Sequence, residues 1–510
     1  MSMRRDLKYR DPEHRICEDK LTLNLDPLMA PLSAHTDATA LSELILCRQV
    51  TCEEVMREHL DRIARLNPTV NAIVSLQPED DLLAQARNAD MELSRGDRRG
   101  WMHGLPIAIK DLSATAGIRT TYGSTLQSTY VPAEDGLMVK RIREAGAIII
   151  GKTNTPEFGL GSHTYNPIFG VTRNAYDPNL SAGGSSGGAA VALALNMVPI
   201  ADGSDMMGSL RNPAGWNNVF GFRPSFGRVP SAPSPDVFLH QLSTNGPMAK
   251  TARDLARFLD VIAGYAPEAP LSLEDEPSSF AEGLDRDVKD LRIGWIGSWG
   301  GYYPMERGVL ELTRAGLATL ADQGAMVEEL TPEFEANRLW DAWVVLRQWA
   351  VSQRLQPLLV SDGSIELLKP EARWELEQGL RLTAGDVHRA SVIRSDWVRY
   401  LQKLFSRFDV LALPTAQIFA FPAELTWPRS INDHPMDTYH RWMEIVVPGS
   451  LSGHPVAAVP AGFDERGRAI GIQLLGRARA DRELLQIVSC FERNAPWVRQ
   501  APALSALTPS

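Results

Sequence analysis

Apolar residues recur along this chain at two spacings, and the alternation between them gives the first expectations. From Asp37 onward, Leu41, Leu44 and Ile45 fall on one face of a helix. Thr51-Cys52-Glu53-Glu54 is a capping box, in which the Thr51 and Glu54 side chains can satisfy each other's backbone amides. It opens a second helix carrying Val55, His59, Ile63 and Leu66, expected to stop at Asn67-Pro68. Short apolar runs bounded by turn residues read as buried strands. They are Leu105–Lys110, Ala147–Ile150 (ending at Gly151), Leu291–Ile296, Met326–Leu330, Phe408–Leu413 and Val456–Val459. Leu137–Glu144 and Arg307–Gln323 read as helices, and Ala189–Leu195, small and apolar on every side, as a helix buried all round. Helices interleaved with β-branched runs predict an α/β sheet covered by helices.

Two stretches fall outside the pattern. Met1–Ser33 holds Pro12, Pro27 and Pro31 without periodicity, so an irregular arm is expected over 1–33, and a tail over 501–510. Pro267–Asp287 is acidic and Pro/Ser-rich, which suits a surface connector. The length of 510 residues alone suggests about three domains. Lys and Arg total 52 against 62 Asp and Glu, a net charge of −10, which argues against nucleic acid or an anionic membrane as partner. The first twenty residues are densely charged with no apolar core, and no apolar run approaches a membrane span. A cytoplasmic location is therefore expected. Cys17, Cys47, Cys52 and Cys490 show no framework spacing, and the ten histidines contain no HExxH, so neither a disulfide scaffold nor a zinc hydrolase is expected.

Three local features could carry chemistry. The segment Gly183-Gly184-Ser185-Ser186-Gly187-Gly188 could be a flexible linker, yet it runs straight into the apolar helix and is therefore anchored. It lacks the Lys-Ser/Thr of a phosphate loop. Gly183-x-Ser185-x-Gly187 fits a nucleophile elbow only formally, because a turn rather than a strand precedes it. The second feature, Gly203–Pro213, contains Ser209 and an Asp205/Arg211 pair. The third is Lys110, at the end of an otherwise apolar strand, where α/β active sites are commonly assembled.

In combination these features resemble the amidase signature family over most of the chain. The matching stretches are GLPIAIKD (Gly104–Asp111), GGSSGGAAVALA (Gly183–Ala194), GSDMMGSLRNPA (Gly203–Ala214) with GFRPSFGRVP (Gly221–Pro230), and HPVAAVPAGFDERGRAIGIQLLGR (His454–Arg477). The resemblance implies one large domain over 34–500, its core about 104–230, with a mixed central sheet between helical layers. By position it implies Lys110 as base, Ser185 as proton bridge behind a cis Gly184–Ser185 peptide, and Ser209 as nucleophile. It puts an oxyanion hole at the backbone N–H groups of Met206, Met207, Gly208 and Ser209, supported by Gly184, Asp205 and Arg211. The implied reaction cleaves a small carboxylic amide with water, through an acyl-enzyme, without a metal or organic cofactor. The alternatives are hydrolysis of related acyl bonds and an amidotransferase A-type subunit; homodimerisation is left open.

The chemistry suits these residue types. A serine hydroxyl needs an adjacent base to attack an amide, and lysine can be that base only when neutral. Its ordinary pKa is about 10.4, and desolvation can lower it by about 3 units.

One residue departs from the family pattern Asp-x-Gly-Gly-Ser: Met207 replaces a glycine. Any left-handed backbone there becomes costlier, and the thioether is expected to line the acyl pocket and favour apolar or aromatic substrates. Trp340 and Trp343, in the stretch Leu339–Gln356 with Trp349, recur at helix spacing. They read either as core or as a substrate-facing wall, with Phe419–Phe421 and Trp427 as a second candidate wall. His454 reads as structural.

Overall fold

The computed structural model describes residues 37–504, apart from 240, 275, 277 and 360–362. The expected arm over 1–33 lies outside the described residues, as does 505–510 of the tail. The strands of the two larger sheets, in chain order, are β1 (Ile73–Val74), β2 (Pro106–Lys110), β3 (Ile148–Thr153), β4 (Ala201–Asp205), β5 (Phe220–Arg223) and β6 (Thr244–Ala249). They continue as β7 (Arg292–Trp295), β8 (Met326–Glu329), β9 (Val410–Pro414), β10 (Val456–Phe463) and β11 (Ala469–Leu475). An eight-stranded sheet has the order β8-β7-β9-β11-β10-β5-β6-β4. The first three strands of that order run parallel, and from β9 onward every pairing is antiparallel. A three-stranded sheet, β1-β3-β2, completes the mixed architecture, and its β2 lies against the outer strand β4. At this seam the Lys110 N–H donates to the buried Asp202 carboxylate (2.8 Å), so a side chain bridges the two sheets.

Helices cover this sheet because their apolar stripes need it. The helix α1 (Cys52–Val70) begins at the expected capping box. The helix α2 (Leu137–Glu144) has the expected bounds and buries Met138, Val139 and Ile142. The helix α3 (Gly187–Ala194) is buried on all sides. One buried apolar cluster draws residues from Ala38 to Ala495, crossing the Pro267–Asp287 stretch, which holds no helix or strand among the described residues. No helix among the described residues is long and apolar enough to cross a membrane.

Several boundaries differ from the sequence reading, each for a local reason. The α1 helix passes through Pro68 to Val70 before Asn71 turns left-handed (φ 52°). The Asn67 side chain accepts from the Ala72 and Ile73 amides and so seats the chain reversal beyond the proline. Strand β3 continues past Gly151 to Thr153; there a Cβ would meet the Leu76 Cα at 2.9 Å, so only glycine lets the strand pass. The helix expected over Arg307–Gln323 is broken into Val309–Gly316 and Ala318–Ala321. The strand expected over Val456–Val459 runs on to Phe463.

The glycine run before α3 is a close-packing device rather than a linker. A Cβ on Gly188 would lie 2.4 Å from the Asn154 N and 2.6 Å from the Ala72 O, both rigid backbone atoms. Gly188→Ala should therefore lower unfolding stability by about 1–3 kcal/mol, measured by urea denaturation. An unchanged midpoint would contradict this account of α3 docking.

Candidate active site

Four apolar or rigid residues, Pro106 to Ile109, carry β2 through the core, so its last side chain is delivered into a dry place. Lys110 is fully buried. Its Nζ lies 2.8 Å from the Ser185 Oγ, 2.8 Å from the Ser186 Oγ and 3.0 Å from the Ser204 Oγ. No carboxylate among the described residues pairs with it. Burial pushes the Lys110 amine down to about 7, against the weaker upward pull of Asp202 and Asp205. A neutral amine offers two N–H donors and a lone pair, so one of the three surrounding hydroxyls can direct its proton at the nitrogen.

Ser185 follows a cis peptide with Gly184, as the resemblance implied. Glycine is required at 184 by close approach: a Cβ would stand 3.0 Å from the His163 backbone. A Cβ on Gly159 would lie 3.8 Å from the Ser185 Oγ, so the loop around Phe158 borders this serine. Ser209 stands on the turn after β4 and keeps 8 % of its surface exposed, Ser185 6 %. The Ser209 hydroxyl makes no hydrogen bond to another described residue.

The turn bearing Ser209 is built round a second buried charge. Asp205 accepts from the Gly208 N–H (2.8 Å) and the Leu210 N–H (3.1 Å), and Arg211 meets both carboxylate oxygens at 3.0 Å. Arg211 also donates to the Val446 carbonyl (2.8 Å), the Gln473 Oε1 (2.7 Å) and the Ser450 hydroxyl (2.7 Å). Burial alone would raise the Asp205 carboxyl, but Arg211 and Arg223 beside it hold it well below the usual carboxylate range. The expected supporting pair is thus a saturated ionic brace.

The four amides expected to face one ligand oxygen divide. Gly208 does not fit, since its N–H is committed to the Asp205 carboxylate. The Met206, Met207 and Ser209 N–H groups bond to no other described residue. Gly208 takes the left-handed angle in this turn (φ 77°), whereas Met207 has no positive φ, so methionine at 207 meets no such backbone strain. The Met207 side chain packs into the main apolar cluster.

Trp340 and Trp343 lie on α4 (Ala336–Leu355). They stack on each other (5.6 Å) and both pack on the buried His440 ring (5.1 and 5.0 Å). The residue of this helix that reaches the Ser209 turn is Arg347, whose Nη1 lies 3.3 Å from the Met206 Sδ. The sequence signal was a cation between two tryptophans, Trp343 and Trp349, in an aromatic helix. Also unassigned by the sequence reading were Ser186, Ser204 and Asp202, which complete the surroundings of Lys110. His454 is buried and structural: its Nδ1 bonds to the Gly476 carbonyl (3.0 Å) and its ring stacks on Phe405.

Comparison with known proteins fits this geometry to a family. The family profile described as Amidase matches residues 54–485. An acylamidase from Rhodococcus erythropolis is 32% identical, covering 91% of this chain and 97% of that protein. The A-type subunit of a glutamyl-tRNA(Gln) amidotransferase from Chloroflexus aurantiacus is 33% identical, covering 92% and 99%. Among solved structures, a bacterial aryl acylamidase of the amidase signature enzymes superposes with a TM-score of 0.85 at 27% identity, covering 91% of this chain and 96% of that one.

Breaking the brace should be costly. Arg211→Met leaves the buried Asp205 underpaired and should lower unfolding free energy by about 3–5 kcal/mol, again by urea denaturation. A loss below about 1 kcal/mol, the scale of a surface pair, would contradict the brace.

Proposed function

The chain belongs to the amidase family and is a hydrolase of carbon–nitrogen bonds, and from that premise we propose that Ser209, Ser185 and Lys110 are its catalytic serine, proton bridge and base. The observation that carries this reading is the Lys110 amine, buried among three serine hydroxyls with its proton affinity lowered to about 7. Neutral Lys110 draws a proton from Ser185, which draws one from Ser209 as that oxygen attacks the scissile carbonyl. The same relay run backward returns a proton to the departing amine. Water then repeats the attack on the acyl-enzyme and releases the acid. The free amides of Met206, Met207 and Ser209 are donors for the tetrahedral oxyanion, and the Asp205–Arg211 brace holds their turn in place. Such donors are each worth on the order of 10²–10³ in rate.

The substrate we favour is a small apolar or aromatic amide, in keeping with the acylamidase and aryl acylamidase relatives, with Met207 lining the acyl side. We read 34–500 as one unit, since one buried cluster draws residues from Ala38 to Ala495. A second reading, an amidotransferase A-type subunit, is supported by the 33% identity to that protein. The purified chain separates the two: glutamine hydrolysis, with no activity on simple amides and anilides, would favour this second reading.

Ser209→Ala and Lys110→Ala should each lower kcat by about 10³-fold or more while the proteins stay folded by circular dichroism. Activity retained in Ser209→Ala but lost in Ser185→Ala would reverse the assignment of nucleophile. Because the base works only when unprotonated, kcat/KM should rise about tenfold per pH unit below about 7 and level off above it. A rate peaking near pH 5 would contradict a neutral lysine.

A further inference from the structure

One face of α4 spans the two loops that flank the serines. Arg347 touches the Met206 side chain (3.3 Å), and two turns later Arg354 donates to the Phe158 carbonyl (2.6 Å), beside the Gly159 that borders Ser185. Val351, between them, packs with Phe158 in a second buried apolar cluster.

Arg347 is 4 % exposed, yet its three nitrogens are unequally satisfied. Its Nε donates to the Glu375 Oε1 (2.5 Å) and its Nη2 to the Tyr439 hydroxyl (2.8 Å), while Nη1, among the described residues, meets only the Met206 thioether. A thioether is a weak acceptor, and buried N–H groups normally find a strong one. Glu375, on α5 (Pro370–Gly379), offsets the guanidinium charge, so the spare donors suit an uncharged oxygen better than a second carboxylate. The Trp343 ring lies 5.2 Å from the guanidinium carbon and backs it, and its own Nε1–H is buried without a partner among the described residues. The Met206 side chain between this cluster and the Ser209 turn is flexible and readily displaced.

We propose that Arg347, backed by Trp343, forms a specificity subsite for a neutral hydrogen-bond acceptor, such as a ketone, amide or ether oxygen, on the acyl part of the substrate. This rests on the reading of Ser209 as the acylated residue. The Nη1 group stands one methionine side chain from the Met206 amide, so the oxygen it takes lies on the γ- or δ-carbon of the acyl chain. Arg347 is therefore a specificity residue and not part of the proton relay.

Binding to Ser209→Ala protein tests this without turnover. By calorimetry, 5-oxohexanamide should bind about 10-fold or more tightly than hexanamide, the worth of a hydrogen bond to a charged donor. In Ser209→Ala/Arg347→Met the two should bind within about twofold of each other. Should that variant not fold, Ser209→Ala/Arg347→Lys must still reduce the preference. Equal binding, no binding of either amide, a preference that survives loss of the guanidinium, or tighter binding of the acyl-carboxylate analogue than of the ketone would overturn the proposal. Absence of the preference in Ser209→Ala protein, with Ser209-dependent hydrolysis intact in the wild type, defeats only the subsite. Absence of any Ser209-dependent hydrolysis defeats the reading beneath it.

Discussion

A lysine amine held in the core among hydroxyls, with no carboxylate among the described residues paired to it, is the constraint on which this site depends. Water would keep the amine protonated; the dry end of β2 does not. Everything that surrounds it follows from that requirement. Ser185, Ser186 and Ser204 satisfy its hydrogen bonds without neutralising a charge, and Asp202 is held off the amine by bonding instead to the Lys110 backbone N–H. The fully buried α3 and the close approach of Gly188 to Asn154 and Ala72 keep that end of the sheet sealed.

The second buried charge is treated in the opposite way. Asp205 lies at the end of β4, beyond the seam at Asp202, and it is surrounded by two arginines and two backbone N–H groups, so it stays ionised at any working pH. One buried group thus has only uncharged partners at its amine and a lowered proton affinity, and its neighbour is saturated with ionic ones and made rigid. A pair of titratable groups whose environments push them apart is a recurrent way to divide chemical from structural duty. The same brace explains why one amide of the Ser209 turn is closed to a ligand: Gly208 is spent on holding the turn's shape.

Much of this was legible in the sequence because its causes are local. Leu137–Glu144 carries its own amphipathic stripe, Thr51–Glu54 its own cap, and α3 its own all-round apolarity. The motif residues Lys110, Ser185 and Ser209 lie far apart in the chain but were named by the family resemblance, and the fold brings Lys110 and Ser185 into contact. What stayed hidden depends on partners distant in sequence. Asp202 bridging two sheets, the Gly208 amide turned to Asp205, and Gly151 passing the Leu76 backbone leave no periodicity to read. Arg347 was visible only as a cation in an aromatic helix, since Glu375, Tyr439 and Met206 reach it from three separate segments. Trp340 and Trp343 were legible as a stripe at helix spacing, but their packing on the His440 ring, from a segment distant in sequence, was not.

The central claim is that Lys110 gives up its proton near neutral pH, so that about half of it is uncharged at pH 7. The most direct measurement is an NMR titration of protein labelled at the lysine ε-carbon, with the Lys110 resonance assigned by its loss in Lys110→Met. The account predicts a midpoint near pH 7. A midpoint at the ordinary lysine value of about 10.4 would contradict it.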